Sequence, residues 1–172
     1  MAVINAPFFG AKTTIEAIRK AILAIQGDYR LRQLVERVCG GVREKDYLSE
    51  YLAWYNYICA NVRYMRDPRT VELVKSVHIP LEQLLSGQTP QLDCDDLTAL
   101  LGAGILSTGG SCRLVTVAFS HVQHNGEQQY SHVFVQALEP KTKNWITLDP
   151  VAGRATNKML KTAVVAKVWP VA

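Results

Sequence analysis

No Cys-x-x-Cys pair occurs in this chain of 172 residues; its four cysteines, Cys39, Cys59, Cys94 and Cys112, are scattered. That spacing argues against a zinc knuckle and against a disulfide framework. Long apolar runs are missing as well. Nothing approaches the ~18 consecutive apolar residues of a membrane span. The start, "MAVINAPFFGAK", has no basic segment, long apolar run or small-residue cleavage site of a secretory signal. The expectation is a chain made in a cytoplasm, with no membrane span. Blocks of like charge are absent too, since the net charge of +4 is spread over both halves. No basic face therefore marks a nucleic-acid partner. With no internal repeat and no linker, residues 1–172 read as one domain.

What is present is the mix of a globular protein, 48% apolar and 20% charged. Thr13 and Glu16 have capping-box spacing, and Ile15, Ile18, Ile22 and Ile25 recur at helical intervals, so 14–26 reads as a helix. Asp28 caps a second helix with Leu31, Leu34, Val35 and Val38 on its apolar face, stopped by Gly40 and Gly41. A third begins near Asp46, with Leu48, Tyr51, Leu52, Tyr55, Ile58, Cys59 and Val62 as its buried stripe, and is closed by "RDP". Cys39 and Cys59 read as small core residues. Residues 70–86 read as two short helical pieces broken at "IPLEQ", and Asp93 opens a helix running to about Leu106. After Gly110 the period changes. "CRLVTVAFS" (112–120), "YSHVFVQAL" (130–138) and "NWITLDP" (144–150) read as strands of an antiparallel meander joined by turns with Asn-Gly and Pro signals. "TAVVAKVWPV" (162–171) adds an edge strand, with Pro170 limiting further pairing. Helices first and strands afterwards give an α+β fold.

The chemistry centres on "LDCDDL". A thiol acts as a nucleophile in its thiolate form, which a helix amino terminus favours. Cys94 sits in such a first turn. Asp93 is placed as N-cap, and Asp96 has the spacing to complete a capping-box-like exchange. Three carboxylates also oppose a thiolate, so the site needs a cation; a histidine sharing the thiol proton would supply one. The favoured reading of Asp95 and Asp96 is support of the helix start. Of the four histidines, His78 lies near a proline, and His121 and His124 flank an Asn-Gly turn where a solvated ring is expected. His132 differs, because a polar ring at the start of a strand is buried only with partners. The following strand ends at Asp149, and the hairpin brings it back alongside His132. Cys94, His132 and Asp149 thus form a candidate nucleophile, base and orienter. Trp145 reads first as core under the sheet and second as a cleft wall. Cys, His and Asp are also legitimate zinc ligands. Thiol chemistry needs no further ligand, so no metal or cofactor is expected.

A helix bearing Cys94 in "DCDDLTALLGAGILSTGG", a strand bearing His132 in "SHVFV" and a strand ending Asp149 in "NWITLDP" resemble, in this order, the transglutaminase-like superfamily of papain-type cysteine enzymes. "WYNYICANVRYMRDP" resembles the lead-in to the cysteine helix. The resemblance implies a transglutaminase-like, papain-like core over 46–150, with an N-terminal helical extension (1–45) and a C-terminal strand or tail (151–172). It also implies a cysteine peptidase or amidase acting on a peptide or amide substrate, with a side-chain oxyanion donor for which Gln88, six residues before Cys94 as in papain-like enzymes, and the nearer Gln91 are candidates. The "DCDD" form in so small a domain is similar to versions carried by tailed bacteriophages and prophages. That implies synthesis in the cytoplasm of a bacterial host, association with the virion, and action on cell-wall peptide (peptidoglycan) or a partner protein. The alternative is a non-catalytic subunit of a phage tail or baseplate, whose apolar ends "MAVINAPFF" and "VVAKVWPVA" dock on structural neighbours.

Overall fold

In the computed structural model, residues 11–66, 74–124, 126–151 and 161–171 are described. The helices are α1 (Ala11–Ala24), α2 (Tyr29–Val38), α3 (Tyr47–Asn61), α4 (His78–Leu85) and α5 (Cys94–Ser107). The strands are β1 (Arg63–Tyr64), β2 (Gln91–Leu92), β3 (Cys112–Ala118), β4 (Gln123–His124), β5 (Glu127–Gln128), β6 (His132–Leu138), β7 (Trp145–Leu148) and β8 (Val165–Pro170). Helices precede the main sheet, and the fold is α+β.

α5 is the centre of the molecule. Every residue from Asp95 to Ile105 on it is buried, the signature of a helix packed on all sides. α1, α2 and α3 cover part of its surface, and β6 and β3 cover another part. Ile15, Ile18, Ile22, Leu31 and Leu34 share one core with Leu97, Leu100, Leu101, Leu114 and Val135. Gly104 marks the tightest approach, because a Cβ there would sit 2.0 Å from the Trp54 Nε1.

The main sheet has the order β7-β6-β3-β8 and is antiparallel throughout. β3, β6 and β7 form the meander. β8 returns to the other edge of β3, and Pro170 lies opposite Arg113 at the end of that ladder. A short hairpin, β4 with β5, occupies the long turn; Asn125 lies outside the described residues.

Several sequence expectations need correction. α1 already includes Ala11, so Thr13 lies inside the helix and not at its cap. In α3 the buried stripe is Tyr51, Trp54 and Ile58, whereas Leu48 and Leu52 are exposed at 36% and 39%. Seven apolar residues around one helix allow more than one stripe, and α5 takes the face that carries Trp54. Cys59 is exposed and Cys39 half-buried. α3 stops at Asn61, because Val62 turns extended and the next two residues pair with β2. Asp67 and Pro68 of "RDP", like 69–73, lie outside the described residues. "IPLEQ" does not break a helix. Pro80 sits in the first turn of α4, where its missing N–H would have had no helical acceptor.

Candidate active site

The chain reaches α5 along a fixed path. Gly87, with φ +74°, ends α4, and the Gln88 N–H bonds back to the Gln83 carbonyl at 2.8 Å, a left-handed helix stop. β2 then pairs in parallel with β1, Arg63 opposite Gln91 and Tyr64 opposite Leu92. Leu92 is buried, so the extended pair anchors the residue just before the cap. Asp93 is extended, and its Oδ1 accepts the N–H groups of Asp95 at 3.1 Å and Asp96 at 3.0 Å. Cys94 is thereby fixed as the first helical residue.

Cys94 is half-buried. Its thiol donates to Asp95 Oδ1 at 3.5 Å. Burial pushes the thiol far above its ordinary range, the Asp95 and Asp93 carboxylates push it further, and the Val133 N–H directed at the sulfur offsets part of this. At neutral pH the sulfur is therefore a thiol. The cation that does approach the helix start is Lys75, whose N–H and ammonium bond Asp96 at 2.7 and 2.5 Å. The Asp96 carboxylate thus holds Lys75 beside α5.

The strand side is arranged differently. His132 begins β6, and its Nε2 lies 2.7 Å from Asp149 Oδ2 with both residues buried, at 8% and 1% exposure. Asp149 follows β7, and its Oδ1 accepts the Val151 N–H at 3.0 Å, which orients the carboxyl group. The Tyr55 hydroxyl donates to the Asp149 carbonyl at 3.2 Å; one turn earlier, Tyr51 donates to the Leu138 carbonyl at 3.2 Å. Two tyrosines four residues apart on α3 thus hold the β6-β7 hairpin. Burial pushes the Tyr51 hydroxyl up to about 12, so it stays protonated as a donor. The Phe134 ring packs at 5.9 Å from the imidazole.

His132 and Asp149 are in contact, and Cys94 is next to Val133, the residue after His132. No hydrogen bond joins Cys94 to His132. The imidazole Nδ1 makes none among the described residues, and it is the nitrogen left to face a proton donor once Nε2 is taken. Gln88 and Gln91 are both exposed, and neither side chain bonds to Cys94 or His132. Trp145 is not buried under the sheet; it is half-exposed, with the Arg113 guanidinium 4.1 Å above its ring. His121 is exposed, and His78 Nδ1 lies 3.4 Å from Asp28 Oδ2. Sequence reasoning missed Lys75 and Tyr55. The Tyr51 and Tyr55 spacing was a visible signal, whereas nothing local linked Lys75 to Asp96 21 residues away. Among the described residues no three His, Cys, Asp or Glu side chains converge as metal ligands would.

No family model matches the chain, and no curated protein matches it by sequence. Solved structures do. A candidate protease from Parabacteroides distasonis is similar with a TM-score of 0.58 at 11% identity, over 92% of this chain and 29% of that one. A candidate cysteine protease from Cytophaga hutchinsonii is similar with a TM-score of 0.55 at 18% identity, over 95% of this chain and 53% of that one. The chain shares its fold with both. It spans about half or less of their length.

Proposed function

We propose that the protein is a cysteine hydrolase of the transglutaminase-like kind, a peptidase or amidase that uses Cys94, His132 and Asp149. The observation that carries this reading is the buried His132–Asp149 bond at 2.7 Å, on the strand whose next N–H is directed at the Cys94 sulfur. The fold shared with two candidate proteases supports it. Cys94 Sγ attacks the amide carbonyl carbon while His132 Nδ1 takes the thiol proton; the C–N bond then breaks and the proton passes to the leaving amine. Water hydrolyses the thioester with His132 as base, which returns Cys94 to the thiol. The Cys94 N–H is not used by the Asp93 cap and makes no hydrogen bond among the described residues, so it is available to the oxyanion. Because the resting sulfur is protonated, proton transfer accompanies attack.

The substrate in this reading is a peptide or side-chain amide, with bacterial cell-wall peptide or a partner protein of a phage particle as the target. The "DCDD" resemblance alone supports the phage connection. A non-catalytic tail or baseplate subunit is favoured by no observation, and the apolar start that would dock it lies outside the described residues. The test compares the chain with its Cys94→Ala variant on peptidoglycan fragments and glutamine-containing peptides. Amide hydrolysis by the first and none by the second is expected. Failure to cleave any of them would remove the enzyme reading.

A further inference from the structure

On a β-sheet, residues directly opposite one another share a face, and so do residues two apart. His132 lies opposite Val117, Phe134 opposite Val115, and Gln136 opposite Arg113; Thr147 lies opposite Gln136, and Trp145 opposite Leu138. The face that carries the His132 ring therefore continues, four residues or ~13 Å along β6, to a group made of Arg113, Gln136, Thr147 and Trp145. The side chains there are locked in sequence. Arg113 Nε donates to Gln136 Oε1 at 2.8 Å, and Gln136 Nε2 donates to Thr147 Oγ1 at 2.9 Å. The guanidinium lies 4.1 Å over the Trp145 ring.

A cation held this way normally has a carboxylate partner. Among the described residues Arg113 has none, and its side chain bonds there only to Gln136, a neutral amide, through Nε. Both Nη groups, the two-pronged end of the fork, have no acceptor among the described residues. The residue is half-buried, and burial lowers its affinity for the proton, although a guanidinium remains charged. A partly desolvated positive charge fixed by a hydrogen bond on one edge and an aromatic ring below is preorganised for a planar anion that takes two parallel N–H bonds.

We propose that Arg113, bracketed by Gln136 and Trp145, is a carboxylate-binding subsite that takes an acidic residue of a peptide ligand. The identity of that ligand as the substrate rests on the amide hydrolysis proposed above; the binding does not. Between His132 and this group the face is covered, with Phe134, Val117 and Val115 buried at 1%, 1% and 5%, so the subsite is defined by its own binding chemistry and sets no spacing to the bond being cleaved. The shape of the fork favours carboxylate, and Thr147 restrains Gln136, so the amide cannot rotate away to leave the guanidinium free.

The test uses the full chain carrying Cys94→Ala, so that binding is read without turnover. Two capped peptides, acetyl-Ala-Ala-Ala-Ala-Glu-amide and its Gln counterpart, are titrated by calorimetry and by Trp fluorescence. The Glu peptide is expected to bind about tenfold tighter, with a fluorescence change that Trp145→Phe removes. Arg113→Met is expected to erase the preference, and Arg113→Lys to keep only a few-fold of it, since an ammonium keeps the charge but not the fork. Should Arg113→Met fail to fold, Gln136→Leu frees the guanidinium from its bracket and is expected to weaken the preference. Equal affinity for the two peptides, or a preference that survives Arg113→Met or Gln136→Leu, overturns the proposal. So does inorganic phosphate displacing the Glu peptide with equal affinity, which would mark a generic anion site. Loss of hydrolysis with the Glu preference intact would remove the enzyme reading and leave this subsite standing.

Discussion

The two halves of the candidate site are built on opposite principles. On the helix side, Cys94 is half-buried among carboxylates, donates a hydrogen bond to Asp95, and is held far from ionisation despite its place at a helix amino terminus. On the strand side, His132 and Asp149 already form a short buried bond, with Val151 and Tyr55 fixing the aspartate from two directions. A helix dipole contributes only ~0.3–1 kcal/mol, less than burial and two nearby carboxylates oppose it with. The difference teaches where the reactive state comes from. In the hydrolysis proposed above, the base is assembled in advance and the nucleophile is not, so the thiolate would form only as His132 receives its proton.

The harshest way to break that comparison is to remove the assembled half. In a peptide hydrolysis assay His132→Ala is expected to lower kcat/KM by ~10³ or more, since general-base catalysis alone contributes ~10²–10⁴. Asp149→Asn keeps the backbone acceptor for Tyr55 and the shape of the pair, and its loss is expected to fall mainly in kcat. Full activity in His132→Ala would mean that some other group accepts the thiol proton.

A second effect tests whether the position of α5 sets the helix half. Gly104 lies against Trp54, and a methyl group there overlaps the indole nitrogen. Gly104→Ala is expected to cost about 3 kcal/mol or more, because overpacking typically costs ~1–3 and here the clash is with a fully buried ring. Thermal unfolding measures it, and an unchanged midpoint would show that Trp54 repacks freely.

These two effects differ in how much of their basis was visible in the sequence. The start of α5 was legible because an N-cap is a local signal, and Asp93 does bond the N–H groups of Asp95 and Asp96. The His132–Asp149 contact was legible because antiparallel hairpins return the chain alongside itself at a register that a short turn fixes. Trp54 was not. α3 carries apolar side chains on most of its surface, and only the packing of α5 against it decides which three are buried. Lys75 was invisible for a similar reason, since its partner Asp96 is supplied by the fold and not by the sequence around it. Pro80 shows the reverse error, a helix breaker by its usual effect that is harmless in a first turn.

Lys75 provides the third and smaller test. The Asp96 side chain is 1% exposed and that of Lys75 31%. Lys75→Met removes the ammonium while the Lys75 backbone N–H still meets Asp96, so the expected destabilisation is about 2 kcal/mol, below the ~3–5 of breaking a fully buried pair. Chemical denaturation reads it. The carboxylates that chiefly raise the Cys94 thiol are Asp95 and Asp93, so thiol reactivity is expected to change little. A change in alkylation rate would mean that Lys75 supports the nucleophile as well as the fold.

The smallest effect sharpens the comparison most, because it changes the helix half alone. Asp95→Asn removes a negative charge and the acceptor of the Cys94 thiol at 3.5 Å. Both act to raise the thiol's proton affinity, so their removal lowers it; burial, the larger cause, remains. The alkylation rate of Cys94 by iodoacetamide, read peptide by peptide, is expected to keep climbing through the alkaline range in the parent chain. In the variant the same curve should move to lower pH by about one unit, or roughly tenfold in rate at fixed pH. The ordinary thiol range near 8.5 is not reached, because the sulfur is still buried. If instead the curve stays in place, Asp95 does not control the thiol, and the resting proton is held by burial and Asp93. If Cys94 in the parent chain already reacts at a plateau near neutral pH, the helix half is as prepared as the strand half and the contrast between them fails.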